Sequence, residues 1–137
     1  MRRLREAGAV FIGKTNLPDF AGHGTRTRSS LSGVTLNPYA TDRVPGGSSG
    51  GTATAVNASF AVLGIGTDTG GSISNPSAAQ ALASLKPTFG LLPLHGVVPP
   101  DASYRDVVGP MARSSRDVAL TMVVIAGPAT GSHDMFV

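Results

Sequence analysis

The 137-residue sequence predicts an α/β fold, and two observations carry that expectation. Two apolar runs of strand length, Ala9-Val10-Phe11-Ile12-Gly13 and Phe60-Ala61-Val62-Leu63-Gly64-Ile65-Gly66, alternate with segments of helical composition. The second run leads straight into a glycine cluster, and open α/β sheets bind ligands beyond the C-terminal ends of their strands. Only 14% of residues are charged, against roughly 25% in an ordinary globular domain. A chain so poor in charge reads as an interior portion of a larger fold: one partial domain over residues 1–137, cut at both ends.

Taken in order, residues 2–7 read as the last turns of a helix closed by Gly8, a residue that readily takes the left-handed position after a helix. Residues 9–13 then read as a strand buried on both faces, as strands are in parallel sheets covered by helices. Residues 14–45 are rich in Thr, Arg, Ser, Gly, Asn and Pro with weak periodicity, and loops of that length are usually functional or packed against other sequence. Residues 52–58 (Thr52-Ala53-Thr54-Ala55-Val56-Asn57-Ala58) read as a helix whose small side chains permit close approach to the sheet, and residues 60–66 as the strongest strand. Residues 77–85 read as a helix, followed by a Lys86-Pro87-Thr88 turn and short extended pieces through Val98. A last helix runs from Ser114 or Ser115 to Ala126, capped by a serine and ended by Gly127-Pro128. Val118, Met122 and Ile125 mark its apolar face, with Val123 and Val124 broadening it.

Composition narrows the function. The net charge of +3 comes largely from Arg2, Arg3, Arg5, Arg26, Arg28 and Arg43, which lack aromatic interleaving and read as a solvated face, not a nucleic-acid surface. Zero cysteines rule out disulfides, thiolate metal sites and a cysteine nucleophile in these residues. His23, His95 and His133 lack ligand spacing, so no zinc site is expected. No run approaches 18 uninterrupted apolar residues, and Met1-Arg2-Arg3-Leu4-Arg5-Glu6 lacks the apolar stretch of a signal peptide. A cytoplasmic protein without a membrane partner is the expectation.

Chemistry concentrates in two glycine-rich turns, Gly46-Gly47-Ser48-Ser49-Gly50-Gly51 and Gly66-Thr67-Asp68-Thr69-Gly70-Gly71-Ser72-Ile73. Glycines beside a hydroxyl let the backbone bend so that N–H groups and a serine oxygen face one point, which is what acyl transfer requires. Other readings fit less of the sequence. A phosphate-binding P-loop needs a Lys after the glycines, and none follows either cluster. Gly64-x-Gly66-x-x-x-Gly70 loosely imitates a dinucleotide fingerprint but lacks the acidic residue about 20 positions on. Gly46-Gly47-Ser48-Ser49-Gly50 matches the Gly-x-Ser-x-Gly elbow of an esterase, with His95 or His133 as a triad partner on paper, but residues 40–45 make a poor strand before it.

With their flanks, the two clusters resemble the amidase signature family. The resemblance is carried by residues 8–18 with Phe20, Asn37-Pro38, residues 45–51, residues 64–73, Leu85-Lys86-Pro87-Thr88 with Gly90, Gly96-Val97-Val98-Pro99, and Val108-Gly109-Pro110-Met111-Ala112-Arg113, and it extends from about Leu4 to Gly127. It implies an α/β/α fold around a mixed central sheet, of which this chain is the central segment. It implies too an amide hydrolase working through a nucleophilic serine, a second serine on a cis peptide bond, and a lysine. Residue by residue, the resemblance places the nucleophile at Ser72, the bridging serine at Ser48, and the oxyanion hole at the N–H groups of Thr69, Gly70 and Gly71 with that of Ser72. Ser49 and Asp68 fall in supporting positions, Asp68 pinning the oxyanion loop by accepting backbone N–H bonds instead of acting as a base. The implied partner is a small-molecule amide, the acyl-enzyme is resolved by water or by another amine, and the implied mechanism needs neither a metal nor an organic cofactor.

The sequence departs from the family pattern in two places that bear on function. The family lysine belongs upstream of residues 9–13, where this sequence has none, and Lys14 matches a different, structural position. This favours, as a second reading, a catalytically silent remnant or an assembly piece that depends on missing segments of its own domain. Ser74 stands where many members carry an arginine suited to carboxylate-bearing substrates. Its absence argues against an acidic substrate and weakens the case for a glutamyl-tRNA amidotransferase A-type subunit.

Overall fold

The computed structural model describes residues 1–98, 100–101 and 103–126. Helix α1 (Arg2–Glu6) ends as its sequence predicts. Gly8 sits at φ +87° and donates its N–H to Arg5 O (2.9 Å), while Ala9 N–H donates to Leu4 O (2.9 Å). These paired bonds satisfy carbonyls that a helix terminus leaves open. The Arg3 guanidinium donates to the carbonyls of Ile125 and Ala126, tying α1 to the last turn of the final helix.

Residues 9–13 do not form the expected strand. The run has no ladder partner among the described residues, and its side chains face outward, Val10 being 86% and Ile12 69% exposed. The segment predicted as one long loop holds a small hairpin of β1 (Thr27–Ser29) and β2 (Gly33–Thr35), antiparallel with Thr27 opposite Thr35. Asn16 staples it to the preceding chain: its amide donates to Gly33 O (3.1 Å) and Thr35 Oγ1 (3.0 Å), and its Oδ1 accepts from Ser29 Oγ (2.7 Å).

Helix α2 (Gly50–Asn57) takes the small-residue segment, with Ala53 and Val56 fully buried. Strand β3 (Leu63–Asp68) starts three residues later than expected. A turn with Ser59 at φ +63° intervenes and leaves Phe60 exposed. Helix α3 (Ser74–Ala79) is earlier and shorter than the predicted helix at 77–85. Ala81 at φ +54° breaks it, and the chain turns into strand β4 (Ala83–Ser84). Strand β5 (Val107–Ala112), which carries Gly109-Pro110 at its centre, was not predicted at all and lies in the middle of the sheet.

The sheet order is β3-β5-β4, and the described pairs are antiparallel, Leu63 opposite Ala112 through Asp68 opposite Val107 on one side and Ala83 opposite Ala112 on the other. Five of the six β5 residues are buried, and both α2 and the final helix α4 (Ser115–Ala126) pack against the strand. Helices covering a sheet give the predicted α/β class. Ala53, Ile73 and Met111 form the core, with Leu82 packed on it. Burying side chains the size of Ile73 and Met111 contributes about 1.5–3 kcal/mol each. Helix α4 is capped by Ser114, whose Oγ accepts from Asp117 N–H (3.2 Å) and donates to Asp117 Oδ2 (2.7 Å). Its buried face is Val118 with Thr121; Val123, expected to broaden the apolar face, is 73% exposed. The helix-ending Gly127-Pro128, the triad candidate His133 and Pro99 lie outside the described residues.

Candidate active site

The first glycine cluster is a crowded junction. Gly46, at φ +76°, lies so close to Pro76 that a Cβ would overlap its backbone. A Cβ at Gly47 would strike the carbonyls of His23 and Arg26, and one at Gly51 the backbone of Asn16. Two side-chain bonds fix the turn, from Thr27 Oγ1 to Gly46 O (2.9 Å) and from Gln80 Nε2 to Pro45 O (2.8 Å). The Gly47–Ser48 peptide is cis. Ser48 is 1% exposed, and its hydroxyl has no hydrogen-bond partner among the described residues. Its neighbour is fully engaged: Ser49 Oγ accepts from Thr67 N–H (3.1 Å) and faces Thr67 O (3.1 Å).

Ser49 also joins the clusters, donating its N–H to Ser72 O (3.1 Å). The second cluster follows β3, whose last residue, Asp68, is wholly buried at its side chain. Asp68 Oδ1 accepts from Gly71 N–H (2.7 Å) and Oδ2 from Ile73 N–H (2.6 Å). The Lys86 ammonium lies 2.8 Å from Oδ1 and donates to Thr69 O (3.1 Å). Burial pushes the Asp68 carboxyl up, but the Lys86 hydrogen bond, the Ile73 and Gly71 N–H bonds and the Lys86 charge together outweigh it, holding the carboxyl below its usual range. On the other side of the turn, the Thr69 hydroxyl donates to the buried Asp106 carboxylate, whose Oδ2 accepts from Asp101 N–H (3.0 Å).

The fold therefore brings Ser48, Ser49, Asp68 and the 69–72 turn to one place, with Ser72 half-buried in that turn. The N–H groups of Thr69, Gly70 and Ser72 make no hydrogen bond to the described residues. That of Gly71, also expected in the oxyanion set, is occupied by Asp68. Lys14 is exposed. His23 organises its own turn, its Nδ1 accepting from Thr25 and Arg26 N–H. The esterase elbow does not fit: residues 40–47 form no strand, and Ser48 is buried where an elbow serine is presented. Among the described residues no cluster of His, Cys, Asp or Glu could hold a metal. No helix there is long and apolar enough to cross a membrane.

Lys86 and Asp106 were not read from the sequence as parts of this site. Lys86 carried two usable signals: it is one of two lysines in a chain with few charges, and it lies in the Leu85-Lys86-Pro87-Thr88 stretch that carries the resemblance.

A hydroxyl set in a turn whose Thr69, Gly70 and Ser72 N–H groups are unbonded among the described residues, beside a second, buried hydroxyl, suits attack on a carbonyl with charge developing on its oxygen. Known proteins match this chain over nearly its whole length. The family profile described as Amidase matches residues 1–136. The A-type subunit of glutamyl-tRNA(Gln) amidotransferase from Deinococcus deserti is 51% identical over 126 residues, 92% of this chain and 26% of that protein. The protein of the same name from Symbiobacterium thermophilum is 53% identical over 128 residues, 93% of this chain and 26% of its own length. Among solved structures, native peptide amidase from Stenotrophomonas maltophilia superposes with a TM-score of 0.82 at 39% identity, over 97% of this chain and 30% of that one. The A-type subunit of glutamyl-tRNA(Gln) amidotransferase from Thermotoga maritima gives 0.85 at 39% identity, over 99% and 29%. The chain spans about a quarter of the length of the curated relatives it matches.

Proposed function

Because the chain belongs to the amidase signature family, we propose that it carries the nucleophile and oxyanion turn of an enzyme cleaving carbon–nitrogen bonds of amides. Ser72 Oγ attacks the amide carbonyl, Ser48 relays its proton, and the N–H groups of Thr69, Gly70 and Ser72 receive the oxyanion. The relayed proton passes to the leaving amine, and an ester on Ser72 remains. Water then gives a carboxylic acid, or an amine gives a new amide.

The observation that carries this reading is the Ser48 hydroxyl, which has no hydrogen-bond partner among the described residues and is buried beside the turn that Ser49 ties to Ser72. An unsatisfied buried hydroxyl costs about 1–3 kcal/mol, and a relay accounts for keeping one there. The relay also needs a general base. Neither lysine of this segment suits: Lys14 is exposed, and the Lys86 ammonium is committed to Asp68 and Thr69 O. The base is accordingly assigned to the rest of the enzyme.

The reading is tested in a whole enzyme carrying this segment, by ammonia release from neutral primary amides with Ser72 intact and with Ser72→Ala. Loss of turnover in Ser72→Ala and hydroxamate formation when hydroxylamine traps the acyl group are expected. Near-normal turnover by Ser72→Ala refutes the assignment.

A second reading, that the amide donor is the amino acid glutamine in an amidotransferase, is favoured by the roughly 50% identity to proteins of that name. Ser74, exposed at the first position of α3, offers no cation to a substrate carboxylate. Preferential release of ammonia from glutamine over neutral amides would establish the second reading over the first.

A further inference from the structure

The geometry points to Lys86 as a positioning residue that aims the Gly70 N–H of the oxyanion turn, by clamping the Thr69 carbonyl and the Asp68 carboxylate at once. This rests on the reading of residues 69–72 as the oxyanion turn. A trans peptide is planar, with its C=O and N–H pointing in opposite directions. Fixing Thr69 O on the Lys86 ammonium (3.1 Å) therefore directs the Gly70 N–H away from Lys86. The same ammonium, 2.8 Å from Asp68 Oδ1, steadies the carboxylate that holds Gly71 and Ile73 N–H. The Ile73 peptide is fixed from both sides, its N–H on Asp68 and the Ser72 carbonyl on Ser49 N–H. Lys86 supplies the corresponding restraint at the other end, where the turn is most open: Gly70 is exposed, and its Cβ position touches nothing within 4 Å. Without the ammonium, no side chain among the described residues holds the carbonyl of the Thr69–Gly70 peptide, which can then rotate between its neighbours held by Asp106 and Asp68 and take its N–H off target.

Removing one oxyanion donor costs about 10²–10³ in kcat, and a misaimed donor costs up to that much. The test uses a whole enzyme carrying this segment, with Lys86→Cys. This segment has no other cysteine, and the Lys86 side chain is 39% exposed, so 2-bromoethylamine can reach the thiol and rebuild an ammonium on a chain of lysine length. The parent enzyme treated with the same reagent is the control. A fall in kcat of about 10²-fold with KM within twofold is expected, followed by recovery of at least tenfold on aminoethylation. A role in stability alone would lower the folded fraction and leave kcat per labelled active site unchanged.

Lys86→Cys with kcat within threefold of the parent overturns the assignment. So does complete aminoethylation, verified by mass, that restores nothing. Should Lys86→Cys be insoluble, Lys86→Arg keeps a cation able to donate to both oxygens; kcat within tenfold of the parent supports the assignment, and a hundredfold loss overturns it. Ser72→Ala run in parallel separates the two levels. Its inactivity beside an unimpaired Lys86→Cys refutes only the role of Lys86, whereas its retained turnover refutes the reading beneath.

Discussion

Asp68→Asn is isosteric, yet the structure gives it a large cost. Both carboxylate oxygens accept: Oδ1 from Gly71 N–H and Lys86, Oδ2 from Ile73 N–H. An amide group has one oxygen and one NH₂, so either orientation sets a donor against a backbone donor. Placing NH₂ toward Ile73 leaves that N–H unpaired in the core, beside a fully buried side chain. Placing it toward Gly71 sets it against both Gly71 N–H and the ammonium. Losing one hydrogen bond to a charged group contributes about 1.5–3 kcal/mol, and a buried donor left unmet about 1–3 kcal/mol more. Relaxation of the turn recovers part of this, which sets the expected local destabilisation at about 3 kcal/mol, close to a hundredfold in an equilibrium constant. The assay is amide hydrogen exchange resolved to residues 69–73, which reads local opening and needs no two-state unfolding of the whole protein. Ile73 protection is expected to fall about a hundredfold, with α4 unaffected. Ile73 protection within threefold of the parent would refute the account of Asp68 as the pin of the turn.

The same carboxylate gives a pH dependence with a definite sign. Its folded-state pKa is depressed, so its stabilisation is fully present above the ordinary value of 3.8 and is lost as pH falls through the lower folded-state value. Exchange at Gly71 and Ile73, corrected for intrinsic pH effects, is expected to rise only in that acid range, and a rise centred near neutrality would contradict it. Gly109→Ala places a methyl against Leu85 O, 3.0 Å from Pro87 Cδ and 3.1 Å from Ile73 Cδ1, and is expected to cost about 1–3 kcal/mol by overpacking, read as a lowered melting temperature. An unchanged melt would show that β5 and the Leu85 segment separate easily. Ser114→Ala removes the α4 cap and is expected to cost about 1 kcal/mol, detected as faster exchange in the first turn of α4 and nowhere else.

Local signals were legible where one segment decides its own structure. The Gly8 terminus of α1, the small-residue helix α2 and the Ser114 cap of α4 needed only neighbours in sequence. Strand β5 was hidden because Gly109-Pro110 opposes strand formation locally, and only pairing on both sides overrides it. Residues 9–13 mislead in the opposite sense: the apolar run reads as a buried strand, yet it has no ladder partner among the described residues and its side chains are exposed. At the site, the glycine clusters declared themselves, and Asp68 was read as the residue that pins the turn. Lys86 and Asp106 reach that turn from irregular segments with no periodic pattern, so their convergence exists only in the folded chain.

The backbone junction at Gly46, Gly47 and Gly51 restricts how an enzyme built on this segment can diversify. Three separate stretches of main chain occupy the space that side chains would fill at these glycines, so under the proposed function none of the three offers a position where substitution could retune substrate choice. Under the proposed function, selection for a new amide, in nature or in a directed-evolution library, must work through side chains that reach the site from its surroundings, such as Ser74 at the first position of α3. Libraries that randomise the junction should return the parental glycines, while those that randomise its rim should return altered preferences at undiminished expression.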